Sequence, residues 1–278
     1  RRLQAIEDGI LKLVFAVLLV GMAVVLGADA RPGIEAAREA LPDTLSPART
    51  GPIPMAPPAP GDQVRRYSPS GVPALPEDGP DPLPGHVERP GGDALVQPME
   101  FRRGTEGRAS AVGRIDVGTA AVFADFLESQ GDELAVLVLH SPGGSVRDAI
   151  AMARALREKG IATEVPRNGY CASSCPLVFA GGVRRSVGEP AWLGVHQAFT
   201  AGEEEGTVAD GLAGGQRISA EVLALLVEMD IDAAAWIPAM RTPKDRLYVY
   251  TREELDAYGW VAEGEVAAAE GAPGEASN

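Results

Sequence analysis

Two serines and both cysteines of the chain lie within five positions of the stretch NGYCASSCPLVFAGG, which runs from Asn168 to Gly182. Such residues could supply a metal site, a redox pair, a nucleophile or small groups for packing. A zinc site is disfavoured because the chain has no further cysteine and because hydroxyls are poor zinc ligands. Cys171 and Cys175 also miss the C-x-x-C spacing of a thioredoxin-type redox pair. The cysteines therefore form a local disulfide or two buried thiols, and the serines between them are candidate nucleophiles.

A second segment of small residues, Ser141-Pro142-Gly143-Gly144, directly follows the apolar run ELAVLVLH. The run is typical of a buried parallel strand, and the amphipathic pattern after Gly144 predicts a helix that Ser145 caps. Glycine lets backbone N–H groups approach a ligand closely, and a helix N-terminus adds positive potential. These features suit a developing oxyanion, although a plain turn with a helix cap would show the same pattern.

A third strand is predicted from Ala191 to His196, which places His196 at a strand end. Chemistry in α/β folds takes place at the carboxyl edge of the sheet, where a serine and a histidine on neighbouring strand ends could exchange a proton. Taken singly, a buried histidine commonly forms a structural hydrogen bond, and a serine among small residues commonly serves packing. The order of the three segments on successive strand ends is what favours catalysis.

The elements that must position these segments alternate between strand and helix. Strands are predicted at 107–117, 133–140, 161–165 and 191–196, and helices at 119–130, 145–159, 176–180, 218–229, 232–240 and 251–258. The alternation predicts an α/β domain with a largely parallel sheet and surrounding helices. This domain extends from about residue 100 to 265, and a flexible tail follows at 266–278.

The N-terminal segment 10–28 is apolar apart from Lys12 and is long enough to span a bilayer as a single-pass transmembrane helix. Arg1 and Arg2 precede it, so the N-terminus should stay in the cytoplasm. A cleaved signal peptide is the alternative for residues 1–30, because Ala28-Asp29-Ala30 resembles a small-x-small cleavage site. Both interpretations place the remainder on the periplasmic, extracytoplasmic side of the cytoplasmic (inner) membrane.

The segment 31–99 is rich in proline and glycine and lacks hydrophobic periodicity, so a disordered linker is predicted. The whole chain carries a formal net charge of −14 with a pI of about 4.7. Nucleic acid is therefore an unlikely partner, because phosphate backbones attract basic surfaces.

The three segments together resemble the Clp protease proteolytic-subunit and crotonase superfamily, and in particular a group of Clp-like periplasmic proteins of bacteria. The Clp pattern is strand, SPGG, helix, strand, G-x-A-A-S, helix, strand, H-Q. Its counterparts here are Ser141–Gly144, Gly169–Ser173 and His196-Gln197. The C-terminal stretch TREELDAYGWV also resembles a Clp segment, and the resemblance extends from about Ser110 to Val261.

The resemblance implies a ClpP/crotonase-like fold with Ser173 as the nucleophile and His196 as the base. It implies an oxyanion hole made by the backbone N–H groups of Gly144 and Ser174, with no cofactor and no metal. A peptide or protein would be the substrate. Clp relatives assemble into rings, so the resemblance also allows a homo-oligomer, but the surfaces responsible are not recognisable in this sequence.

The chain departs from the family at four positions. Cys171 and Cys175 stand where the family has alanine and glycine, and His140 replaces an asparagine before SPGG, where it should serve as a polar strand end. The position of the Clp aspartate falls on or near Leu247, which cannot serve as an acid. Asp245, two residues earlier, is the candidate acid, and a Ser-His dyad is the alternative.

Three other functions compete with a Ser-His hydrolase. A Ser-Lys peptidase needs a buried lysine, but Lys159 ends an amphipathic helix and Lys244 lies in a charged loop. A crotonase that handles acyl-CoA would not need the Ser-His pair. The sequence therefore predicts a membrane-tethered or exported Clp-like serine hydrolase or peptidase. The alternative is a non-catalytic domain of the same fold that binds peptides or a membrane-protein partner.

Overall fold

The structure is a computed structural model that describes residues 15–17, 20–22, 58–67, 83–88, 90, 92–130, 133–199 and 208–262. The chain separates into two units, Arg1–Gly51 and Pro52–Asn278. In the first unit, residues 15–17 and 20–22 are helical, and the rest of the predicted membrane segment lies outside the described residues. No helix within the described ranges has both the length and the apolar character needed to cross a bilayer. The predicted tail at 266–278 also lies outside them.

The described part of the second unit contains nine strands. They are β1 (Val64–Arg66), β2 (Glu100–Arg103), β3 (Arg108–Val112), β4 (Val136–His140), β5 (Ala162–Val165), β6 (Tyr170–Ala172), β7 (Arg185–Val187), β8 (Trp192–Val195) and β9 (Arg246–Val249). The same part contains seven α-helices and a 3-10 turn at Ala233–Trp236. The helices are α1 (Gly92–Leu95), α2 (Thr119–Gln130), α3 (Val146–Glu158), α4 (Cys175–Ala180), α5 (Val208–Glu228), α6 (Ile237–Arg241) and α7 (Arg252–Ala257).

The strands form two sheets rather than the single sheet that the sequence predicts. One sheet has the order β2-β3-β4-β5-β7 and is parallel except at β2, which pairs antiparallel with β3. The other has the order β1-β9-β8-β6, in which only β6 and β8 are parallel. The molecule is thus mixed α/β, as predicted. The largely parallel arrangement holds for the first sheet alone, because the second gains two antiparallel strands from segments that had not been assigned as strands.

Local sequence signals explain why α3 begins where it does after the SPGG segment. The Ser145 hydroxyl accepts a hydrogen bond from the Asp148 backbone N–H at 3.3 Å, which caps the helix as predicted. The Asp148 carboxylate also accepts from the N–H groups of Gly118 and Ala120, at 2.9 and 3.0 Å. One carboxylate therefore binds the start of α2 to the start of α3, where helix dipoles favour negative charge.

Alternating residues of the buried strands face two different clusters of apolar side chains. On β4, Leu137 and Leu139 belong to the main core, whereas Val138 points into a smaller second cluster. The second cluster also holds residues from 67–95 and from four further strands, namely Tyr67, Leu83, Leu95, Val112, Tyr170, Ala172, Trp192, Leu247 and Val249.

This second cluster corrects the prediction of a disordered linker over the whole of 31–99. Tyr67, Leu83 and Leu95 are buried, with 6, 2 and 0 % of their surface exposed. In addition, β1 pairs antiparallel with β9. The proline-rich composition hid these elements because each is only three or four residues long and has no periodicity of its own. Their burial is driven by the apolar sheet face that they cover.

Candidate active site

The two sheets meet at Ser141, the first residue after β4. Its N–H donates to the Tyr170 carbonyl at 2.7 Å, and its carbonyl accepts from the Ala172 N–H at 3.0 Å. A residue of the first sheet is thereby paired with Cys171 in the second. This bridge places the SPGG segment directly beside the turn that carries Ser173.

Ser173 lies at a backbone position that few serines adopt. Its φ is +63°, in the left-handed region that disfavours residues with a Cβ atom, and its N–H donates to the Gly194 carbonyl at 2.9 Å. The residue leaves β6 and enters α4 within two positions, so the turn is sharp. Strained backbone at a strand-to-helix turn is typical of an exposed catalytic nucleophile.

Gly143 makes the close approach of the two segments possible. A Cβ atom on Gly143 would lie 2.7 Å from both the Ser173 Cβ and the Ser174 nitrogen, and its φ of +88° also favours glycine. Any larger residue would push SPGG away from the nucleophile turn. The sequence assigned these glycines to a close approach of backbone N–H groups to a ligand, whereas in the structure Gly143 allows the close approach of two chain segments.

A cavity of about 570 Å³ joins these segments. Its wall includes the predicted nucleophile, base and oxyanion residues Ser173, Ser174, His196 and Gly144. Strands β6 and β8 are parallel neighbours, so Ser173 and His196 follow adjacent strand ends at the same edge of the sheet. The structure thus brings four of the five predicted catalytic and oxyanion residues to one cavity.

The tautomer of His196 follows from its backbone contact. Its Nδ1 lies 2.9 Å from the Gln197 carbonyl oxygen, which can only accept a hydrogen bond, so Nδ1 carries the proton of the neutral ring. Nε2 then holds a lone pair, and this buried atom has no hydrogen-bond partner among the described residues. Burial lowers the pKa of His196, and the Gln197 carbonyl opposes this shift. The ring is a neutral base at ordinary pH.

Gln197 is itself held in place by the loop after α6. Its N–H donates to the Thr242 carbonyl at 2.9 Å, and its side-chain Nε2 donates to the Met240 carbonyl at 2.8 Å. The carbonyl that orients the His196 ring therefore sits on a fixed peptide. This backbone oxygen takes the position that a carboxylate holds in a Ser-His-Asp triad.

Asp245, the predicted acid, is not brought to the imidazole. Its carboxylate is exposed, with 72 % of the side-chain surface accessible, and lies 3.8 Å from the Arg246 guanidinium. Only its backbone approaches the site, because its carbonyl accepts from the Tyr67 N–H at 2.9 Å. The Ser-His dyad that the sequence left open as the alternative stays a prediction, because the His196 Nε2 has no hydrogen-bond partner among the described residues.

The two predicted oxyanion donors differ in whether their backbone N–H group already makes a hydrogen bond. The Ser174 N–H has no partner among the described residues, whereas the Gly144 N–H donates to the Ser174 hydroxyl at 2.8 Å. One of the two N–H groups is thus free to bind an oxyanion. The other becomes free only when the Ser174 side chain rotates.

Tyr67 is a residue of the cavity that the sequence prediction missed. Its hydroxyl donates to the Pro142 carbonyl at 2.9 Å, and the residue shares the cavity wall with Ser173. Its ring lies 4.6 Å from that of His196, measured between centroids. The short run QVRRY between two turn-forming segments, PGD and SPSG, was the available signal for a strand at this position.

Cys171 and Cys175 form a disulfide, with their Cα atoms 5.2 Å apart. Both residues are fully buried. The bond joins the middle of β6 to the first residue of α4, so it closes the turn that presents Ser173 and Ser174. Of the two states that the spacing allowed, the structure contains the bridged one.

His140 has a different environment from His196. It is fully buried, and its Nδ1 accepts a hydrogen bond from the Tyr170 backbone N–H at 3.0 Å. Burial, together with the charge of His86, lowers the pKa of His140 to about 3. Among the described residues, no three potential metal-ligating side chains converge at this or any other place.

Comparisons with known proteins give limited information. No protein-family model matches the chain, and no curated protein sequence matches it. Among solved structures, one that is similar is a serine-to-alanine mutant of the 1510-N membrane-bound stomatin-specific protease, with 16 % identity and a TM-score of 0.42. The match covers 55 % of this chain and 75 % of that one. A similarity of this size is too weak to transfer an activity, so the functional case depends on the site geometry.

Proposed function

We propose that the protein is a ClpP-like serine hydrolase that cleaves peptide or protein substrates. The observation that carries the proposal is the placement of two residues on adjacent strand ends: Ser173, at a strained strand-to-helix turn, and a neutral His196 whose Nε2 has no hydrogen-bond partner among the described residues. Both residues line one cavity. A hydroxyl is a weak nucleophile without a base, and the adjacent strand end supplies that base.

In the proposed reaction, the Ser173 Oγ attacks the substrate carbonyl carbon while its proton passes to the His196 Nε2. The Gln197 carbonyl stabilises the imidazolium that forms, through the hydrogen bond from Nδ1. The proton then moves to the leaving amine and the acyl group stays on Ser173. Water, activated by the same imidazole, releases the acid and restores the serine.

The negative charge that develops on the substrate oxygen needs donors fixed in advance. The free Ser174 N–H meets this need at once. The Gly144 N–H would join it after the Ser174 hydroxyl turns away, because that hydroxyl now accepts its hydrogen bond. Loss of one such donor in comparable sites slows the reaction by about 100- to 1,000-fold.

The substrate side chain next to the reacting carbonyl is proposed to be apolar. Much of the cavity wall consists of apolar side chains, namely Ile115, Val146, Phe199, Ile218 and Trp236. Burial of apolar surface in such a pocket stabilises the complex in proportion to the area removed from water. A panel of peptide esters that differ only in this side chain would rank the preference.

A fluorophosphonate probe tests the proposal, because it reacts with a serine only when a base and an oxyanion site activate that serine. The wild-type protein should be labelled, and Ser173→Ala should abolish the label even though Ser174 is still present. Ser186, an exposed serine on β7, provides the matched control: Ser186→Ala should be labelled like wild type. A label that persists in Ser173→Ala would refute the assignment of the nucleophile.

A non-catalytic binding domain is the second candidate, and two observations favour it. The His196 Nε2 is not bonded to Ser173, and one of the two oxyanion donors is occupied. A site used only for peptide binding would tolerate both. Complete absence of labelling at Ser173, combined with saturable binding of an apolar peptide to wild type and Ser173→Ala alike, would establish this second function.

We also propose that the domain works on the extracytoplasmic side of the cytoplasmic membrane, as the N-terminal segment of the sequence suggests. The Cys171–Cys175 disulfide supports this location, since such bonds persist in oxidising compartments. Protease added to spheroplasts should digest the protein within 31–57, and a size measurement would separate a membrane anchor from a cleaved signal peptide. Protection until lysis would contradict export.

A further inference from the structure

The cavity of the proposed active site has three charged side chains in its wall among the described residues, namely Arg114, Asp116 and Arg147. Arg114 and Asp116 neutralise each other, because the guanidinium donates to both carboxylate oxygens, at 2.5 and 3.0 Å. The remaining Arg114 nitrogen donates to the Val96 carbonyl at 2.8 Å. A ligand could therefore bind either member of this pair only by breaking bonds that already exist.

Arg147 is the charged residue of the wall that is left unpaired. It lies in the first turn of α3, is exposed, and has no hydrogen-bond or ion-pair partner among the described residues. The other arginines of α3 pair with carboxylates, Arg154 with Glu228 at 3.0 Å and Arg157 with Asp230 at 3.3 Å. On this helix, the arginine that lines the cavity is thus the one without an anionic partner.

The carboxylate next to Arg147 in sequence is bound elsewhere. Asp148 accepts hydrogen bonds from the Gly118 and Ala120 backbone N–H groups, at 2.9 and 3.0 Å. It also accepts from the Ser145 hydroxyl at 2.5 Å. These bonds hold the Asp148 carboxylate against the starts of two helices, so it does not serve as the partner of Arg147.

Arg147 lies at the mouth of the cavity, close in sequence to a predicted oxyanion donor. Val117, another residue of the wall, has 92 % of its surface exposed, and Gly144 is exposed as well. The chain between the Cα atoms of Gly144 and Arg147 spans at most about 11 Å, and an extended peptide covers that distance in about three residues. A substrate group beside Arg147 would therefore lie within about three residues of a carbonyl bound at Gly144.

We propose that Arg147 is a specificity-determining residue that binds a carboxylate of the substrate, so that the preferred peptides carry an acidic group close to the reacting carbonyl. A guanidinium presents its N–H donors in a planar fork that matches a carboxylate. The carboxylate belongs either to an Asp or Glu side chain or to the C-terminus of the peptide. The inference deepens the proposed hydrolase function and rests on it, because it names the substrate class of the same cavity.

The net charge of the chain, −14, does not exclude an acidic substrate. Exposed charges more than about 8 Å apart are largely screened at physiological ionic strength, whereas two groups in contact keep most of their attraction. Pockets of this kind are mostly apolar and use a few polar groups to select the ligand. Arg147 thus adds selection for an anion to the apolar preference proposed above.

The first measurement is peptide binding to the full chain with Ser173→Ala, which prevents turnover. Fluorescent peptides with one apolar residue in common carry Glu, Gln or Lys at a single position, moved through the neighbouring positions on either side. At one of these positions the Glu peptide should bind about fivefold more tightly than the Gln peptide, the upper range for an exposed ion pair. The difference should shrink as salt is added. Peptides with a free or an amidated C-terminus distinguish the two sources of the carboxylate.

The second measurement repeats the panel with Arg147 replaced. Arg147→Gln should remove the difference between the Glu and Gln peptides, and Arg147→Glu should reverse the order so that the Lys peptide binds best. A damaged fold would weaken all peptides alike, so this reversal reports on charge recognition. Arg154→Gln is the matched control, because it removes one positive charge from the same helix outside the cavity wall and should keep the preference for Glu.

The results distinguish this inference from the proposed function. If Ser173 is labelled by the fluorophosphonate but no preference for Glu depends on Arg147, the inference is overturned and the hydrolase proposal stands. If Ser173 is not labelled but the preference reverses in Arg147→Glu, the hydrolase proposal fails and the carboxylate contact stands as the specificity of a binding site. If Ser173 is not labelled and no preference is found, both proposals fail.

Discussion

Two buried histidines, His140 and His196, each lie at a strand end beside small residues, yet their Nδ1 atoms have opposite hydrogen-bond environments. His140 ends β4, and the backbone N–H of Tyr170 donates to its Nδ1. His196 follows β8, and its Nδ1 faces the Gln197 carbonyl instead. The first ring must therefore keep its proton on Nε2, whereas the second keeps it on Nδ1.

The comparison shows that the group opposite Nδ1 decides whether a buried histidine can act as a base. A backbone donor uses up the lone pair of His140, which serves to hold β6 against β4. A backbone acceptor fixes the proton of His196 and leaves a lone pair on Nε2, in a residue that lines the cavity. Burial lowers the pKa of both rings, so burial alone does not distinguish them.

Removal of His196, the proposed base, should have the largest effect on the labelling rate. His196→Gln deletes the base and should slow fluorophosphonate labelling of Ser173 by about 100- to 10,000-fold. His140→Asn is the paired control, because an asparagine oxygen can still accept from the Tyr170 N–H. Equal losses of labelling in His196→Gln and His140→Asn, with both proteins folded, would contradict the proposal that only His196 acts as the base.

The pH dependence of stability should identify His140 as a structural residue. Its folded pKa, about 3, lies below the ordinary value of about 6.5, so the unfolded chain binds more protons between these values. The contribution is fully present above about pH 6.5 and is lost as the pH falls. About 3 kcal/mol should disappear by about pH 4.

The measurement is urea unfolding of wild type and His140→Asn at several pH values. The variant lacks the titrating group, so its stability should fall less steeply with acid than that of wild type. Parallel curves for the two proteins would show that His140 has the same pKa in the folded and the unfolded chain, against a buried neutral ring that accepts from the Tyr170 N–H.

The Cys171–Cys175 disulfide should also stabilise β6, the strand that the contact between His140 and the Tyr170 N–H holds against β4. Replacement of both Cys171 and Cys175 by alanine removes a small covalent loop and should reduce the free energy of unfolding by about 2 kcal/mol. The pH midpoint of labelling should not change, because the surroundings of His196 are untouched. A shifted midpoint would mean that the bond also positions His196, and equal stabilities would show that the bond contributes nothing to the turn.

Substitution of Asp245 should have the smallest effect on the labelling rate. It tests directly whether the Gln197 carbonyl or a carboxylate orients the His196 ring. Its carboxylate is exposed, so Asp245→Asn should alter stability by less than about 0.5 kcal/mol and leave the labelling rate within about twofold of wild type. A carboxylate that orients the imidazole would instead cost orders of magnitude in rate. Such a loss would replace the Gln197 carbonyl by Asp245 as the orienting group.

Local patterns in the sequence were sufficient for the elements whose residues carry their own signals. The start of α3 depends on Ser145 and Asp148, three residues apart, and α2 spans the predicted 119–130. The apolar run before His140 identified a buried strand. The candidate nucleophile and base came from a resemblance of short motifs, and they line the same cavity because parallel strands end at a common edge.

Contacts between residues that are distant in sequence determined the features that local patterns did not predict. No local signal says that Ser141 pairs with Cys171, that Tyr67 packs against His196, or that a carbonyl rather than a carboxylate faces His196. The linker prediction failed at β1 for the same reason, since a three-residue strand gains its stability only from the β9 edge and the apolar face beneath it. Sequence alone thus indicated which residues could do chemistry, and tertiary contacts decided the protonation and accessibility of each one.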